Sequence, residues 1–301
     1  MRIVLFGQAA FGKDVFDALQ EAGEDVVAVS TPKPGERGDP LHDAATEAGV
    51  PSIVTRALRK EDAFEQFRAL DPELLVFAFV TDIVRKNVLD VPKHGTIQYH
   101  PSLLPLHRGI SSMAWPVIGG EDKTGVSIFW VDEGIDTGPI LLQREVEILS
   151  GDTVGSLYFD RLYPIGIEML VEAVGLVREG KAPRVDQDHS QATYEPPIGA
   201  EHGIVDFSRP GPVVYNHIRG CDPQPGASVS LNGEVLRLFT PSYAVGHPDE
   251  DPGAVTAVVD GAIEVAVVGG TLTIGRVQAE GARKVPAAEL VKVGDVLERD
   301  A

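Results

Sequence analysis

A short apolar strand, Thr96 to Tyr99, leads directly into a histidine in the stretch GTIQYHPSLLPLHRG. Histidine changes charge near neutral pH, so His100 can act as a general acid or a general base. Side chains at the carboxyl end of a parallel strand emerge into the crevice where open α/β sheets bind ligands. A surface histidine is the alternative, but the PSLLP turn that follows is stiffened by two prolines. Because a catalytic group needs rigid support, His100 is the first candidate catalytic residue.

A carboxylate that could orient and charge this histidine occurs in the stretch VDEGIDTGPILLQ, in which Asp132, Glu133 and Asp136 surround Gly134. Taken alone, the stretch reads as an acidic turn between two strands, because aspartate and glycine favour turns. His100 and Asp136 lie 36 residues apart, and the two motifs together form a more specific pair than either one does. Asp136 is the second candidate catalytic residue.

Alternating apolar runs and helical periods supply the elements that must position these residues. Such alternation predicts an α/β fold with a parallel, doubly wound sheet. Strands are expected over 2–6, 25–30, near 53, over 73–80, 96–99, 126–132 and 140–148, with helices over 11–23, 42–48, 61–69 and 82–89. A long apolar helix is expected after residue 151, with Asp152 as its N-cap and a kink at Pro164.

The opening GQAAFG imitates the glycine-rich fingerprint of dinucleotide-binding folds. The imitation is incomplete, because Ala9 replaces the middle glycine between Gly7 and Gly12, and the second strand ends at STP without an acidic residue for a ribose. We therefore expect no NAD, and we interpret the two glycines as packing residues in a tight strand-to-helix turn. No cluster of Cys and His has the spacing of a metal site, so no metal is expected either.

Composition limits the partners and the compartment. The net charge of −19 over 301 residues disfavours nucleic acids and anionic membrane surfaces as partners. The lone Cys221 cannot form an internal disulfide, and neither a signal peptide nor a membrane-spanning stretch is recognisable. These features predict a cytoplasmic protein.

The regular helical and strand periods of the sequence end near residue 181. We predict a Rossmann-like catalytic domain over 1–182, a proline-containing linker over 183–204 and a second domain over 205–301. The second domain holds one short helix and several short strands separated by turns, which favours a small OB-like β-barrel.

The motifs identify a family resemblance. The segments GQAAFGKDV, HGTIQYHPSLLPLHRG, SIFWVDEGIDTGPILLQ, DTVGSLY and IRGCDPQPGA resemble the formyltransferases that use 10-formyltetrahydrofolate. Among them, the chain is most similar to the N-terminal hydrolase domain of 10-formyltetrahydrofolate dehydrogenase. The stretch DGAIEVAVVGGTLTIGRVQAEGARKV resembles the barrel of methionyl-tRNA formyltransferases. The resemblance implies a Rossmann-like formyltransferase domain followed by an OB-like domain.

The resemblance also implies roles for individual residues. His100 and Asp136 match the family's catalytic histidine and aspartate, and Gln98 stands where the transferases usually carry an asparagine that polarises the formyl oxygen. The implied folate-binding residues are Asp82, Ile83, Val84, Asp132, Glu133, Gly134, Ile135 and Asp136. The family's donor, 10-formyltetrahydrofolate, is the implied cofactor.

The implied reaction is acyl transfer from the folate to a small-molecule amine or to water. A formylation of initiator tRNA and a folate-binding module without turnover are the alternatives. From residue 205 to 301 the chain has eight Lys and Arg against thirteen Asp and Glu, so tRNA is an unexpected acceptor. The sequence leaves the acceptor, the choice between transfer and hydrolysis, and the oligomeric state open.

Overall fold

A computed structural model describes residues 1–35 and 38–299 of the chain. Contacts divide it into two compact units. The first comprises Met1–Ile110, Gly125–Val146 and Arg161–Tyr194, and the second comprises Ser111–Thr124, Glu147–Asp160 and Glu195–Ala301.

The first unit is built on a sheet that has seven strands within the described residues, in the order β3-β2-β1-β4-β5-β6-β7. The strands are β1 (Arg2–Gly7), β2 (Asp25–Thr31), β3 (Ser52–Val54), β4 (Leu74–Ala78), β5 (Thr96–His100), β6 (Lys123–Trp130) and β7 (Ile140–Glu147). The pairs from β3 to β5 are parallel, whereas β5 and β6 are antiparallel. The predicted α/β class with a doubly wound, Rossmann-like sheet is confirmed, and β6 runs antiparallel to β5 within it.

Helices pack on both faces of this sheet because neighbouring strand residues point to opposite faces. The helices of this unit are α1 (Ala9–Glu21), α2 (Pro40–Glu47), α3 (Glu61–Arg68), α4 (Lys86–Leu89) and α7 (Tyr163–Arg178). On one face, Phe67 of α3 and Val88 of α4 join the core formed by Phe6 and Phe77. On the other, the ring of Phe11 in α1 lies 4.6 Å from the ring of Tyr99 in β5.

Two helices differ from the sequence prediction. α4 is confined to Lys86–Leu89, so residues 82–85 form a loop at the end of β4. The predicted long helix is interrupted: α6 (Val154–Leu157) continues into a π-helical turn and then into α7, whose first turn contains Pro164. Asp152 is not the N-cap of α6, because the hydroxyl of Thr153 accepts the Ser156 amide in a capping box.

The second unit contains an antiparallel sheet of order β10-β11-β12-β9-β8, with β13 paired to β12. Its elements are α5 (Ala114–Gly119), α8 (Gly211–Gly220), β8 (Ala227–Leu231), β9 (Glu234–Val245), β10 (Val255–Val259), β11 (Ala262–Val267), β12 (Gly270–Ala279) and β13 (Val285–Pro286). Alternate residues of these strands, such as Leu236, Leu238 and Val277, form a core with Val214 and Ile218 of α8. Bridges from Glu298 to Ser230 and from Val296 to Ala254 join the C-terminal segment to both ends of the strand order.

Candidate active site

His100 is the last residue of β5 and lies between β4 and β6. The parallel register pairs Phe77 with Gln98, and the antiparallel register pairs His100 with Ser127. His100 is 4% exposed, so its ring is held inside the carboxyl end of the sheet rather than displayed at the surface. This is the edge at which open α/β sheets bind their ligands.

Hydrogen bonding fixes which ring nitrogen of His100 carries a proton. Nε2 lies 2.9 Å from the carbonyl oxygen of His107. A carbonyl can only accept, so Nε2 must donate, and the neutral ring has its lone pair on Nδ1. Nδ1 lies 3.6 Å from Oδ2 of Asp136. When the ring is doubly protonated, both of its protons therefore face acceptors.

Asp136 lies in the loop between β6 and β7 and is 8% exposed. Its Oδ2 accepts the amide proton of Gly109 at 2.7 Å. The backbone of Asp136 is left-handed, with φ +54°, a conformation that aspartate tolerates better than most residues. Gly138 must be a glycine, because a Cβ atom there would lie 1.7 Å from the carbonyl oxygen of Trp130.

Gln98 joins this pair from two residues upstream on β5. Its Nε2 lies 3.5 Å from Oδ1 of Asp136, so its amide approaches the carboxylate that the amide of Gly109 also holds. The structure thus brings together Gln98, His100 and Asp136, which the sequence places 38 residues apart at most. Their catalytic roles stay predictions.

The implied folate-binding loop precedes Asp136 directly. Oδ1 of Asp132 accepts the Gly134 amide at 3.0 Å and the Thr137 hydroxyl at 2.6 Å, which closes the loop on itself. Lys86 of α4 lies 3.3 Å from Glu133. Hydrogen bonds to Asp90 and Glu133 raise the pKa of Lys86 above its ordinary value, so this cation links α4 to the loop at neutral pH.

The other implied folate-binding segment, residues 82–84, lines a pocket at the end of β4. Three arginines, Arg56, Arg59 and Arg85, line the pocket together with Asp82, Ile83 and Val84. Nε of Arg56 lies 3.0 Å from Oδ1 of Asp82, so one of these cations is paired within the pocket wall.

The structure adds groups that sequence reasoning missed. The carbonyl of His107 and the amide of Gly109 are backbone atoms, which no residue pattern marks. Gln187 is 7% exposed and donates to the carbonyl oxygens of Asp136 and Gly138, although it lies in the predicted linker.

The side chains of Ser102 and Arg108, which follow β5, mainly hold the loop after that strand. The hydroxyl of Ser102 donates to the carbonyl of Leu106 at 2.7 Å and caps the turn. Arg108 is 4% exposed and donates to Oε1 of Gln187 at 2.6 Å and to the hydroxyl of Tyr194 at 2.9 Å. Arg108 therefore connects the loop after β5 to residues 187–194.

The glycines of the opening motif are packing residues, as predicted. A Cβ atom on Gly7 would lie 2.7 Å from the carbonyl oxygen of Ala78, and one on Gly12 would lie 3.1 Å from the Leu41 side chain. The amide of Ala9, at the start of α1, donates to the carboxylate of Asp39 at 2.8 Å. A protein carboxylate thus holds the helix terminus at which dinucleotide-binding folds place a pyrophosphate.

Other chemistry is limited in the part of the chain that the structure describes. Burial raises the pKa of the Cys221 thiol to about 12, so it is a poor nucleophile. Among residues 1–35 and 38–299, no three His, Cys, Asp or Glu side chains are placed to share a metal ion. No helix in those ranges has the length and apolar content needed to cross a bilayer.

The first unit is Rossmann-like and holds a buried histidine and aspartate at the carboxyl end of its sheet, and an antiparallel β unit follows it in the chain. This combination defines the class of protein to which the chain belongs. The family model "Formyl transferase" matches residues 1–174, and "Formyl transferase, C-terminal domain" matches residues 197–293. The chain therefore belongs to the formyl transferase family, which confirms the resemblance in its motifs.

Individual relatives agree with this assignment. The chain is 38% identical over 311 residues to human mitochondrial 10-formyltetrahydrofolate dehydrogenase, an alignment that covers 98% of this chain and 34% of that protein. It is 35% identical over 297 residues to a methionyl-tRNA formyltransferase of Trichlorobacter lovleyi, covering 96% and 93%. The chain thus spans about a third of the length of the dehydrogenases that it matches.

A solved structure supports the fold. The chain superposes on HypX from Aquifex aeolicus, solved in complex with tetrahydrofolic acid, with a TM-score of 0.72 and 21% identity. That match covers 96% of this chain and 46% of HypX.

Proposed function

We propose that this chain is an enzyme that removes the formyl group of 10-formyltetrahydrofolate and passes it to water or to a small amine. The observation that carries the proposal is the buried pair of His100 and Asp136, 3.6 Å apart at the ligand-binding edge of the sheet. Acyl transfer needs a group that accepts and returns a proton and a positive group near the developing oxygen charge. The pair supplies both.

The donor's chemistry suits the pocket beside residues 82–84. A folate carries a flat pterin ring with a hydrogen-bonding edge at one end and carboxylates at the other, and the pocket wall combines Ile83 and Val84 with three arginines. The loop from Asp132 to Ile135, which Lys86 links to α4, would hold the part of the donor nearest to the catalytic pair. When bound, the donor supplies the formyl carbon and the N10 atom to which it is attached.

The side chains would move one proton in the reaction. Asp136 takes the proton that the attacking water or amine loses and returns it to N10 as the bond from carbon to N10 breaks. His100, protonated on both nitrogens, provides positive charge for the formyl oxygen while the His107 carbonyl holds its ring. The 3.6 Å between Nδ1 and Asp136 exceeds a normal hydrogen bond, and such contacts often tighten only when substrate is bound.

Gln98 would act as an amide donor toward the same oxygen. It stands where the transferases usually carry asparagine, but its longer side chain reaches Asp136 at 3.5 Å. An amide engaged with the carboxylate polarises the formyl oxygen less directly.

Methionyl-tRNA formylation is the second candidate, because the Trichlorobacter relative is aligned along 93% of its length. In the second unit, Arg237 and Arg276 share the outer face of β9 and β12 with Phe239, over which the Lys284 ammonium lies at 3.4 Å from the ring centroid. Burial lowers the pKa of Lys284, and the attraction by Asp222 offsets only part of this shift. This small cationic group is set against an excess of acidic residues, so we favour the small acceptors.

An activity screen with isotope-labelled donor tests the proposal. Purified protein is incubated with 10-formyltetrahydrofolate labelled in the formyl carbon, with water alone, with amino sugars and other small amines, and with methionyl initiator tRNA. We expect folate-dependent release of the label to formate or to a small amine. In H2-18O, hydrolysis should place one labelled oxygen in the formate. Binding of the folate without turnover toward any acceptor would instead support a non-catalytic module.

A further inference from the structure

The segment from Gln187 to Tyr194 contacts the loop that carries Asp136 and the loop after β5 that faces the ring of His100. We propose that Gln187 and Thr193 are positioning residues, which fix Asp136 and His100 respectively in their reactive geometry through hydrogen bonds to the backbone. This inference rests on the proposed function of His100 and Asp136, since it concerns how that pair is held. Neither residue is placed to touch a reacting atom.

Gln187 holds the loop of Asp136. Its Nε2 donates to the carbonyl oxygen of Asp136 at 2.9 Å and to that of Gly138 at 2.7 Å. Its Oε1 accepts from Nη2 of Arg108 at 2.6 Å. Both donor protons and the acceptor of this buried amide are thus used, and its orientation is fixed by the requirement that carbonyls accept and guanidinium donates.

Thr193 holds the loop that faces His100. The amide of His107 donates to the Thr193 hydroxyl at 2.8 Å, and the amide of Arg108 donates to the Thr193 carbonyl at 3.1 Å. The amide of Thr193 in turn donates to the carbonyl of Pro105 at 3.3 Å. These bonds bracket the His107 carbonyl, which accepts from Nε2 of His100.

The backbone at both anchored positions explains why such support is needed. Asp136 and His107 each have φ +54°, in the left-handed region that residues other than glycine rarely adopt. Residues in this region persist where their surroundings over-determine them, and they cluster at functional sites. Gln187 holds the backbone of Asp136, and Thr193 holds the backbone of His107.

Arg108 connects these two sets of hydrogen bonds. Its guanidinium donates to Gln187, to the Tyr194 hydroxyl and to Nδ1 of His189, the last at 2.8 Å. A displacement of either loop is therefore opposed by the segment that holds the other loop. The segment sets the separation between the ring of His100 and the carboxylate of Asp136.

The test uses Gln187→Glu and Thr193→Val in the full chain, with Gln191→Glu as the matched control on an exposed residue of the same segment. Gln187→Glu keeps the acceptor for Arg108 but removes the donors to the two carbonyls. Thr193→Val keeps the shape and removes the hydroxyl. For each variant, kcat, the KM for the donor and the unfolding temperature are measured, and Gln187→Glu is also combined with Asp136→Asn.

We expect kcat to fall by ~10- to 100-fold in each positioning variant, the scale of a small misplacement of reacting groups. The KM for the donor should change less than about threefold, and the control should match wild type. In the Asp136→Asn background, Gln187→Glu should cause no further loss, because it acts through that carboxylate. If Gln187→Glu does not fold, the kcat of Thr193→Val alone tests the proposal.

A spectroscopic readout separates this inference from the proposed function. In 15N NMR, the neutral His100 ring should be protonated at Nε2 in wild type, and Thr193→Val should give a mixture of tautomers. Near wild-type kcat in both folded variants, or losses that multiply in the double variant, overturns the positioning roles. An inactive wild type overturns the proposed function, and with it the inference that the pair is held for catalysis.

Discussion

Replacing Asp136 by asparagine removes a charge and little else. Asparagine tolerates the left-handed backbone at φ +54°, and its carbonyl oxygen can still accept the Gly109 amide. Alanine would lose that acceptor and adds a left-handed penalty of roughly 1–2 kcal/mol. Asp136→Asn is therefore the cleaner variant, and we expect its unfolding temperature to stay close to that of wild type.

The distance from Asp136 to His100 limits the attraction that Asp136→Asn can remove, and the role of Asp136 as a general base sets the expected loss of rate. Opposite unit charges 3.6 Å apart interact by about 5 kcal/mol at an effective dielectric constant of ~20, which sets an upper limit for the lost attraction. Removing a general base costs at least ~100-fold in rate, or about 2.7 kcal/mol. We predict that kcat of Asp136→Asn falls by at least ~100-fold.

The assay follows tetrahydrofolate formation under saturating donor. Asp71→Asn is the matched control, because Asp71 is also left-handed, with φ +49°, but is exposed. The control should keep the wild-type rate. A folded Asp136→Asn variant with a rate within about threefold of wild type would refute the assignment of Asp136 as the proton carrier.

Three further predictions concern other parts of the chain. Gln98→Asn should be tolerated or mildly activating if the amide polarises the formyl oxygen, and Gln98→Ile distinguishes transfer from hydrolysis: loss of amine transfer with retained hydrolysis would group the chain with the hydrolase domains, and no change in either rate would exclude chemistry by Gln98. Gly7→Ala should lower the free energy of unfolding by about 1–3 kcal/mol, because its Cβ would meet the Ala78 carbonyl, whereas Gly246→Ala, which has open space, should not; equal unfolding curves would contradict this. Formylation of methionyl initiator tRNA at physiological salt should be inefficient, and a kcat/KM near ~10⁴ M⁻¹s⁻¹ or above would show the charge argument to be wrong.

The strand that carries His100 could be predicted because its signals are local. An apolar run followed by a histidine and a stiff proline turn places His100 at a strand end, and the family resemblance supplies Asp136. The alternation of strands and helices likewise predicts the sheet. The sequence misplaces the cap of α6, because Asp152 and Thr153 are adjacent and both residue types are good N-caps.

The rest of the site depends on backbone atoms and distant pairs. The left-handed φ of His107 turns its carbonyl toward His100, and the residue type does not announce such a conformation. Gln187 lies 51 residues from Asp136 in a stretch that has no helical or strand period. A single buried glutamine in a proline-containing segment carries no signal until the chain folds around it.

The measurement that tests the central claim most directly is the release of labelled formyl carbon from 10-formyltetrahydrofolate by wild type and by His100→Ala, with binding of tetrahydrofolate measured on both. We predict folate-dependent release by wild type, a loss of at least ~100-fold in His100→Ala, and similar binding of tetrahydrofolate by the two proteins. Equal release by both, or no release by folded, folate-binding wild type toward water, amines or tRNA, would contradict the account.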